Sequence, residues 1–440
     1  MSNPRNLGLW ACVALVIGNI VGSGIFLLPA SLAPYGGNSL WAWLLTATGS
    51  MLLAVVFAGL ARAFPDAAGP QDYARMAFGA TTSFMVMWAY WIANLVGNAA
   101  LATAATSYLG NLWPTLANPV AAPTTTLGLL WMFTAVNIHS LHAANRTQIV
   151  TVVLKLLPLA AMVGLGLWLL ATGSTQLHNA KLGATPWRAQ DVNAAAALTL
   201  WAMLGLESAA IVARRVHEPQ RTIARASVLG TGLAAIISII ACTTVMALIP
   251  AAKLSHSAAP FADAIGMFWG SNAAHAVALF AAISCVGAMN GWLLVNSQLS
   301  SQMARSRWLP MFFARESARG TPTTSLWINS ALTTLLVLAN YGKSVAAVFN
   351  FMILLSTTAT LVMYLICSFA LLRLLQDGRL QAARGGGAWL AVVGALGALY
   401  AVWTLYGAGG SALLWGAVLL VVGLPVYYGL HASRKAALAQ

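Results

Sequence analysis

What most constrains this chain is a run length. Stretches of roughly 20 apolar residues, nearly free of charge, recur from one end to the other, and a helix needs about that many to cross a hydrocarbon core ~30 Å thick. On that rule spans fall near residues 8–31, 40–61, 83–110, 124–140, 147–171, 193–213, 226–249, 273–302, 324–340, 345–372, 388–406 and 411–430. Lipid offers no partner to backbone N–H and C=O groups, so each run must satisfy its own by coiling into a helix. The pattern predicts an all-α integral membrane protein with twelve transmembrane helices. Only 7% of the 440 residues are charged, against about 25% in an ordinary soluble domain. No short apolar stretch with a small-residue cleavage site precedes the first span, which is read as a retained helix and not as a removed signal.

The charges that remain carry topology. A net charge of +14 would suit nucleic acid if basic faces were interleaved with aromatics, but the basic residues lie in short loops between apolar runs, so no nucleic-acid partner is expected. Twelve spans put both termini on one side, and that side collects 17 Lys and Arg, from Arg5, Arg62 and Arg75 through Arg434 and Lys435. The other side holds Lys181, Arg188, Lys253 and Lys343. The positive-inside rule then places both termini in the cytoplasm. Lys155 is left inside the fifth span, and among the acids only Glu207 is deep in one. Cys12, Cys242, Cys285 and Cys367 all fall in spans without CxxC spacing, so neither a disulfide nor metal chemistry is expected. Without a nucleophile–base pair or a metal-ligand cluster, no enzymatic activity and no cofactor are expected either. Of the 17 tryptophans, most are expected at the membrane interface, such as Trp41, Trp43 and Trp113.

Two spans contain weak points. GNIVGSGIFLLPA, residues 18–30, puts Gly18, Gly22, Gly24 and Pro29 in the first, although an interior glycine costs a helix roughly 1 kcal/mol against alanine. Five spans later LTLWAMLGLESAA, residues 198–210, sets Gly205 mid-span beside Glu207 and Ser208. Transporters built from inverted repeats bind substrate near the bilayer midplane where one helix of each half is interrupted. The freed N–H groups, and the positive end of the half-helix that follows, suit a carboxylate. Gly18 and Gly22 also make a GxxxG pair, which on its own reads as close helix packing. Glu207 stands out without any pairing: an acid near the bilayer centre costs roughly 2.5–3.5 kcal/mol on insertion scales and usually lines an ion or proton pathway. The plainer reading of Glu207 is a protonated, hydrogen-bonded acid joining two helices.

GNIVGSGIFLLPA, YWIANLVGNAA (90–100), LTLWAMLGLESAA and GWLLVNSQ (291–298) together resemble the bacterial arginine/agmatine antiporters and their basic amino acid/polyamine antiporter relatives in the amino acid-polyamine-organocation superfamily. The similarity continues through APFADA (259–264) and RGTPT (319–323). The resemblance implies one transporter domain over residues 1–440 with a LeuT-like five-plus-five inverted repeat, helices 1–5 over about 8–171 and helices 6–10 over about 193–372. Helices 1 and 6 are broken, and two extra C-terminal helices follow over about 388–430. It also implies a site between spans 1, 3, 6, 8 and 10 and, usually, a homodimer.

Carried over residue by residue, Ser23 and Gly24 match the unwound stretch that receives the substrate carboxylate, and Asn98 a polar contact of the third span. Trp201 matches the tryptophan that closes over the substrate, Trp292 the one against its guanidinium, and Ser356 a tenth-span hydroxyl. Tyr90, Glu207 and Tyr364 match a group that closes the cytoplasmic side, with Glu207 as the pH-responsive acid. Two positions depart from the antiporter. Asn94 faces the pocket where the antiporter has a smaller residue. Lys155, about eight residues or roughly 12 Å into span 5, stands where other permeases of the superfamily carry a lysine bridging spans 1 and 8; a snorkelling lysine is the alternative.

The expectation is a secondary transporter in a bacterial inner membrane, in contact with its lipids, that exchanges arginine for its decarboxylation product agmatine. A desolvated cation over a tryptophan face gains about 2 kcal/mol, which suits Trp201 and Trp292 at mid-depth. Proton-coupled uptake, or exchange of another and even a neutral amino acid, is the alternative that Lys155 raises. A channel or sensor on the same fold is more remote, because no sizeable soluble output domain interrupts the spans.

Overall fold

The computed structural model describes residues 8–21, 23–67, 69–139, 141–173, 185–207, 216, 219–317, 320–340, 342–380 and 386–438, with side chains left out at 23, 141–153, 219–220 and 430–438. Helices follow in the expected order. Span 1 is Leu9–Ile20 and, beyond a break, Leu28–Leu32; span 2 is Asn38–Ala63, span 3 Ala80–Leu112, span 4 Ala121–His139, span 5 Leu141–Thr172 and span 6 Ala189–Trp201. Span 7 is Pro219–Leu248, span 8 Pro260–Arg305, span 9 Thr323–Leu338, span 10 Val345–Gln376, span 11 Gly386–Gly407 and span 12 Gly409–Leu438. Eight of these helices are long and apolar enough to cross a membrane unaided. Of the other four, spans 1 and 6 are interrupted, span 9 is 16 residues long, and span 4 carries Thr124, Thr125, Thr126, Thr134 and Asn137. The chain is a multi-pass membrane protein with a twelve-span fold.

Two short helices are added to the expected spans and one expectation changes. Within Pro260–Arg305, residues before Gly270 form a helix of their own, and Gly270, at φ 78° and ψ −179°, turns the chain where a β-carbon would be strained, so the spanning part starts close to the expected 273. Between spans 2 and 3 lies a further helix, Pro70–Phe78, started by a proline at its first position. Trp43 is not an interfacial anchor. It is 1% exposed, whereas Trp41 and Trp113 are 55% and 54% exposed. Two residues apart on a helix are about 200° apart around its axis, so only one of Trp41 and Trp43 can face lipid.

Span 3 is the core, buried along nearly its whole length, while span 12 is mostly exposed. Span 3 packs against spans 8 and 10 above all, and Trp88 ties it to span 12 by donating Nε1–H to the Leu419 carbonyl at 2.9 Å. Since lipid gives helices no hydrophobic reason to associate, close packing and interhelical hydrogen bonds do that work. Thr46 meets Thr199 at 2.7 Å across spans 2 and 6, Thr134 meets Ser330 at 2.6 Å across spans 4 and 9, and Asn137 donates to Asn290 at 2.8 Å across spans 4 and 8.

Candidate transport site

The two weak sequences are where the helices break. Span 1 ends as an α-helix at Ile20 and resumes as a single 3-10 turn, Ser23–Ile25, before the helix Leu28–Leu32. Span 6 leaves the helix at Trp201 and runs through turns to Glu207, with Gly205 at φ +102°. The remainder of the predicted sixth span, 208–213, lies outside the described residues. The breaks face each other: a β-carbon on Gly205 would stand 3.2 Å from the Asn19 carbonyl carbon, and one on Gly24 would run into the Trp201 indole. Tyr108 of span 3 braces the first break by donating its hydroxyl to the Phe26 carbonyl at 2.8 Å, and the Phe26 ring packs edge-on against Phe261 at 5.2 Å. No sequence signal singles out Tyr108; it is one aromatic among many.

Between the breaks and spans 3, 8 and 10 lies a small cavity of about 60 Å³. Of the residues the sequence proposed, Gly24, Tyr90, Trp201, Glu207, Trp292 and Ser356 line it. Ser356 donates to the Ala93 carbonyl at 2.7 Å, which leaves the two lone pairs of its hydroxyl oxygen to accept. The Trp201 ring reaches span 3 at Gly97, 3.3 Å from where a β-carbon would be, yet its buried Nε1–H has no acceptor among the described residues. Asn98 is not on the wall. It is 1% exposed, and the amide that occupies the wall is Asn94, one turn nearer Tyr90. Ser23 is the first residue of the 3-10 turn, and its side chain lies outside the described residues.

Glu207 is the one carboxylate among the described residues lining the cavity, and it is engaged. Tyr90 donates to its Oε1 at 3.0 Å and Tyr364 to its Oε2 at 2.7 Å. Phe57 backs Tyr364 edge-on at 5.6 Å. Spans 3, 6 and 10 thus meet in one hydrogen-bonded knot, with Tyr364 behind Glu207 and off the cavity wall.

Lys155 lies elsewhere. It is 4% exposed and donates Nζ to the Gly18 carbonyl of span 1, four residues before Gly22, so it does not reach back along its own helix to the membrane surface. Among the described residues no hydrogen bond runs from it to span 8, and the buried hydroxyl of Ser284 on that span finds no partner.

Span 3 measures depth through the site. From its start, beside Arg75, come Tyr90 at the knot, then Asn94 and Gly97 on the cavity wall, and Leu101 at the cavity's far limit. A second hollow of about 500 Å³ begins at Thr106, and Ser31, Ser107, Ser257, Ser344 and Asn350 are among the residues that line it. Five residues of helix, about 7.5 Å, separate the two. The knot lies at the cavity's end toward the arginine-rich face, and a vestibule lies on the other side. Among the described residues no group of three His, Cys, Asp or Glu is placed to hold a metal ion.

Residues 7–428 match the family model described as amino acid permease. The Cadaverine/lysine antiporter of Escherichia coli (strain K12) is 34% identical over 356 residues, 78% of this chain and 77% of that protein. The Putative arginine/ornithine antiporter of Bacillus subtilis (strain 168) is 32% identical over 410 residues, 86% of each chain. The Putrescine transporter PotE of Escherichia coli (strain K12) is 28% identical over 437 residues, 98% of each.

Proposed function

The chain belongs to the amino acid permease family, and we propose that it exchanges a basic amino acid for a decarboxylated amine across a bacterial inner membrane, with both termini cytoplasmic. The observation that carries this reading is the mixed lining of the cavity. It holds the span 1 break at Gly24 and the Nε1–H of Trp201, which has no acceptor among the described residues, donors suited to a carboxylate. The same wall carries the Trp292 ring and the hydroxyl of Ser356, suited to a cation. A basic amino acid would use both sets of groups and its decarboxylated amine the second alone, so one cavity would serve both directions of an exchange.

In the cycle, substrate enters from the vestibule, Trp201 covers it, and opening of the Tyr90–Glu207–Tyr364 knot releases it toward the arginine-rich, cytoplasmic face. Protonation of Glu207 removes acceptor capacity that the two tyrosines use, which gives the knot a chemical trigger. One domain spanning the whole chain suffices for this, its two five-helix halves meeting at the breaks.

Arginine and agmatine form the leading pair because Trp292 offers a flat face to a flat guanidinium. Antiport of lysine, ornithine or a diamine is what the names of the relatives add. Proton-coupled uptake is the second reading, favoured by Lys155: a fixed cation on the Gly18 carbonyl holds span 1 without any co-transported ion.

Purified protein in liposomes loaded with agmatine, cadaverine, putrescine, ornithine or alanine tests this directly. Radiolabelled arginine and lysine should enter only vesicles loaded with a cationic counter-substrate, and the fastest pair names the physiological one. Label accumulating in unloaded vesicles under a proton gradient would replace exchange with proton-coupled uptake.

A further inference from the structure

A cation in the central cavity finds no free acid among the described residues that line it, because both Glu207 oxygens already accept hydrogen bonds from Tyr90 and Tyr364. Its N–H groups need neutral acceptors. Span 3 presents two of them. Asn94 and Asn98 lie one turn apart on the same side of the helix, and each donates Nδ2 to the backbone carbonyl four residues earlier, at 2.9 Å in both cases. With the NH2 ends held against the helix, the carbonyl ends are left over. Asn98 Oδ1 is buried without a partner among the described residues. Asn94, 7% exposed, stands on the cavity wall, and its Oδ1 accepts no hydrogen bond from a described residue.

An amide oxygen without a donor inside a largely apolar cavity is costly unless a ligand completes it. The ligand that completes it carries N–H donors and no acceptor at that end, which describes a guanidinium or an ammonium and excludes a carboxylate or an alkyl group. The position fits the far end of a substrate. Asn94 is three residues, or about 4.5 Å of helix rise, beyond Gly97, where the Trp201 ring touches span 3, and it points the chain of contacts toward Tyr90 and the knot.

Resting on the proposed transport of a basic amino acid, we propose that Asn94 is the specificity contact for the substrate's distal cationic group, its Oδ1 accepting an N–H there while Trp292 covers the charge. Selection at this end is then by hydrogen-bond donors as well as by charge.

Methylated substrates separate the two. Symmetric dimethylarginine keeps the positive charge of arginine and loses N–H donors, and trimethyllysine does the same for lysine. Binding of each pair is measured by competition on detergent-purified wild type, Asn94→Ala and Asn94→Ser, with size-exclusion profiles as the check on folding. Asn94→Ala should lower affinity for the unmethylated substrate roughly tenfold and leave the methylated one unchanged, so that the wild-type preference collapses. Asn94→Ser, which retains a hydroxyl acceptor, should keep part of the preference and carries the test if the alanine variant does not fold. Equal losses for methylated and unmethylated substrates would mean Asn94 only packs, and undiminished arginine and lysine binding would remove it from the site. Wild type that binds neither arginine nor lysine overturns the transport reading itself, a result distinct from either of those.

Discussion

Gly24 and Trp201 occupy one another's space: a β-carbon on the glycine would fall within the indole ring, nearest its Nε1. The break of span 1 and the break of span 6 are therefore a fitted pair, and the lid over the cavity rests on the stretch proposed to hold the substrate carboxylate.

Gly24→Ala should already displace Trp201, and Gly24→Val should abolish detectable substrate binding, since the added groups compete with a ring that the fold cannot move without opening the cavity. Isothermal titration with arginine or lysine reads the loss. Normal affinity in the valine variant would return GNIVGSG to a helix-packing role.

Trp292 is proposed to cover the distal cation. Trp292→Leu should weaken binding of a basic amino acid by about 30-fold, the equivalent of ~2 kcal/mol for a desolvated cation–π contact, while Trp292→Phe and Trp292→Tyr keep part of the affinity because a ring face survives. Equal loss in all three variants would show that the indole is needed for packing alone.

Glu207 joins Tyr90 and Tyr364 through two hydrogen bonds. Glu207→Gln preserves hydrogen bonding but cannot titrate, so exchange measured in liposomes from about pH 5 to 8 should lose its pH dependence while the protein stays folded. Tyr364→Phe should instead raise leak toward the arginine-rich face at every pH, because one strut of the knot is gone. A wild-type pH profile in Glu207→Gln would take the trigger away from this acid.

Lys155 should behave differently from Glu207. Its bond to the Gly18 carbonyl needs a donor and not a change of charge, so Lys155→Ala should lower exchange uniformly across that pH range and reduce thermal stability in detergent by roughly 1.5–3 kcal/mol, the scale of a hydrogen bond to a charged group. If the pH response vanished on changing Lys155 and survived in Glu207→Gln, the proton would belong to the lysine.

Much of this architecture is legible in residue order because a bilayer tests each helix separately. Every span has to satisfy its backbone and match the hydrocarbon thickness by itself, so the number of spans, the weak points at Gly24 and Gly205 and the isolation of Glu207 can be read one segment at a time. What no single segment contains is the pairing between segments. Tertiary structure alone decided that Trp43 faces protein while Trp41 faces outward, that Asn94 and not Asn98 stands on the cavity wall, and that Lys155 spends its donor on Gly18. It also decided that Tyr90 and Tyr364, 274 residues apart in sequence, close on the same carboxylate. Neighbouring residues on a helix differ by about 100° in direction, so which polar group meets a cavity and which is sealed behind it depends on the rotation of each helix, and packing against the other helices sets that rotation.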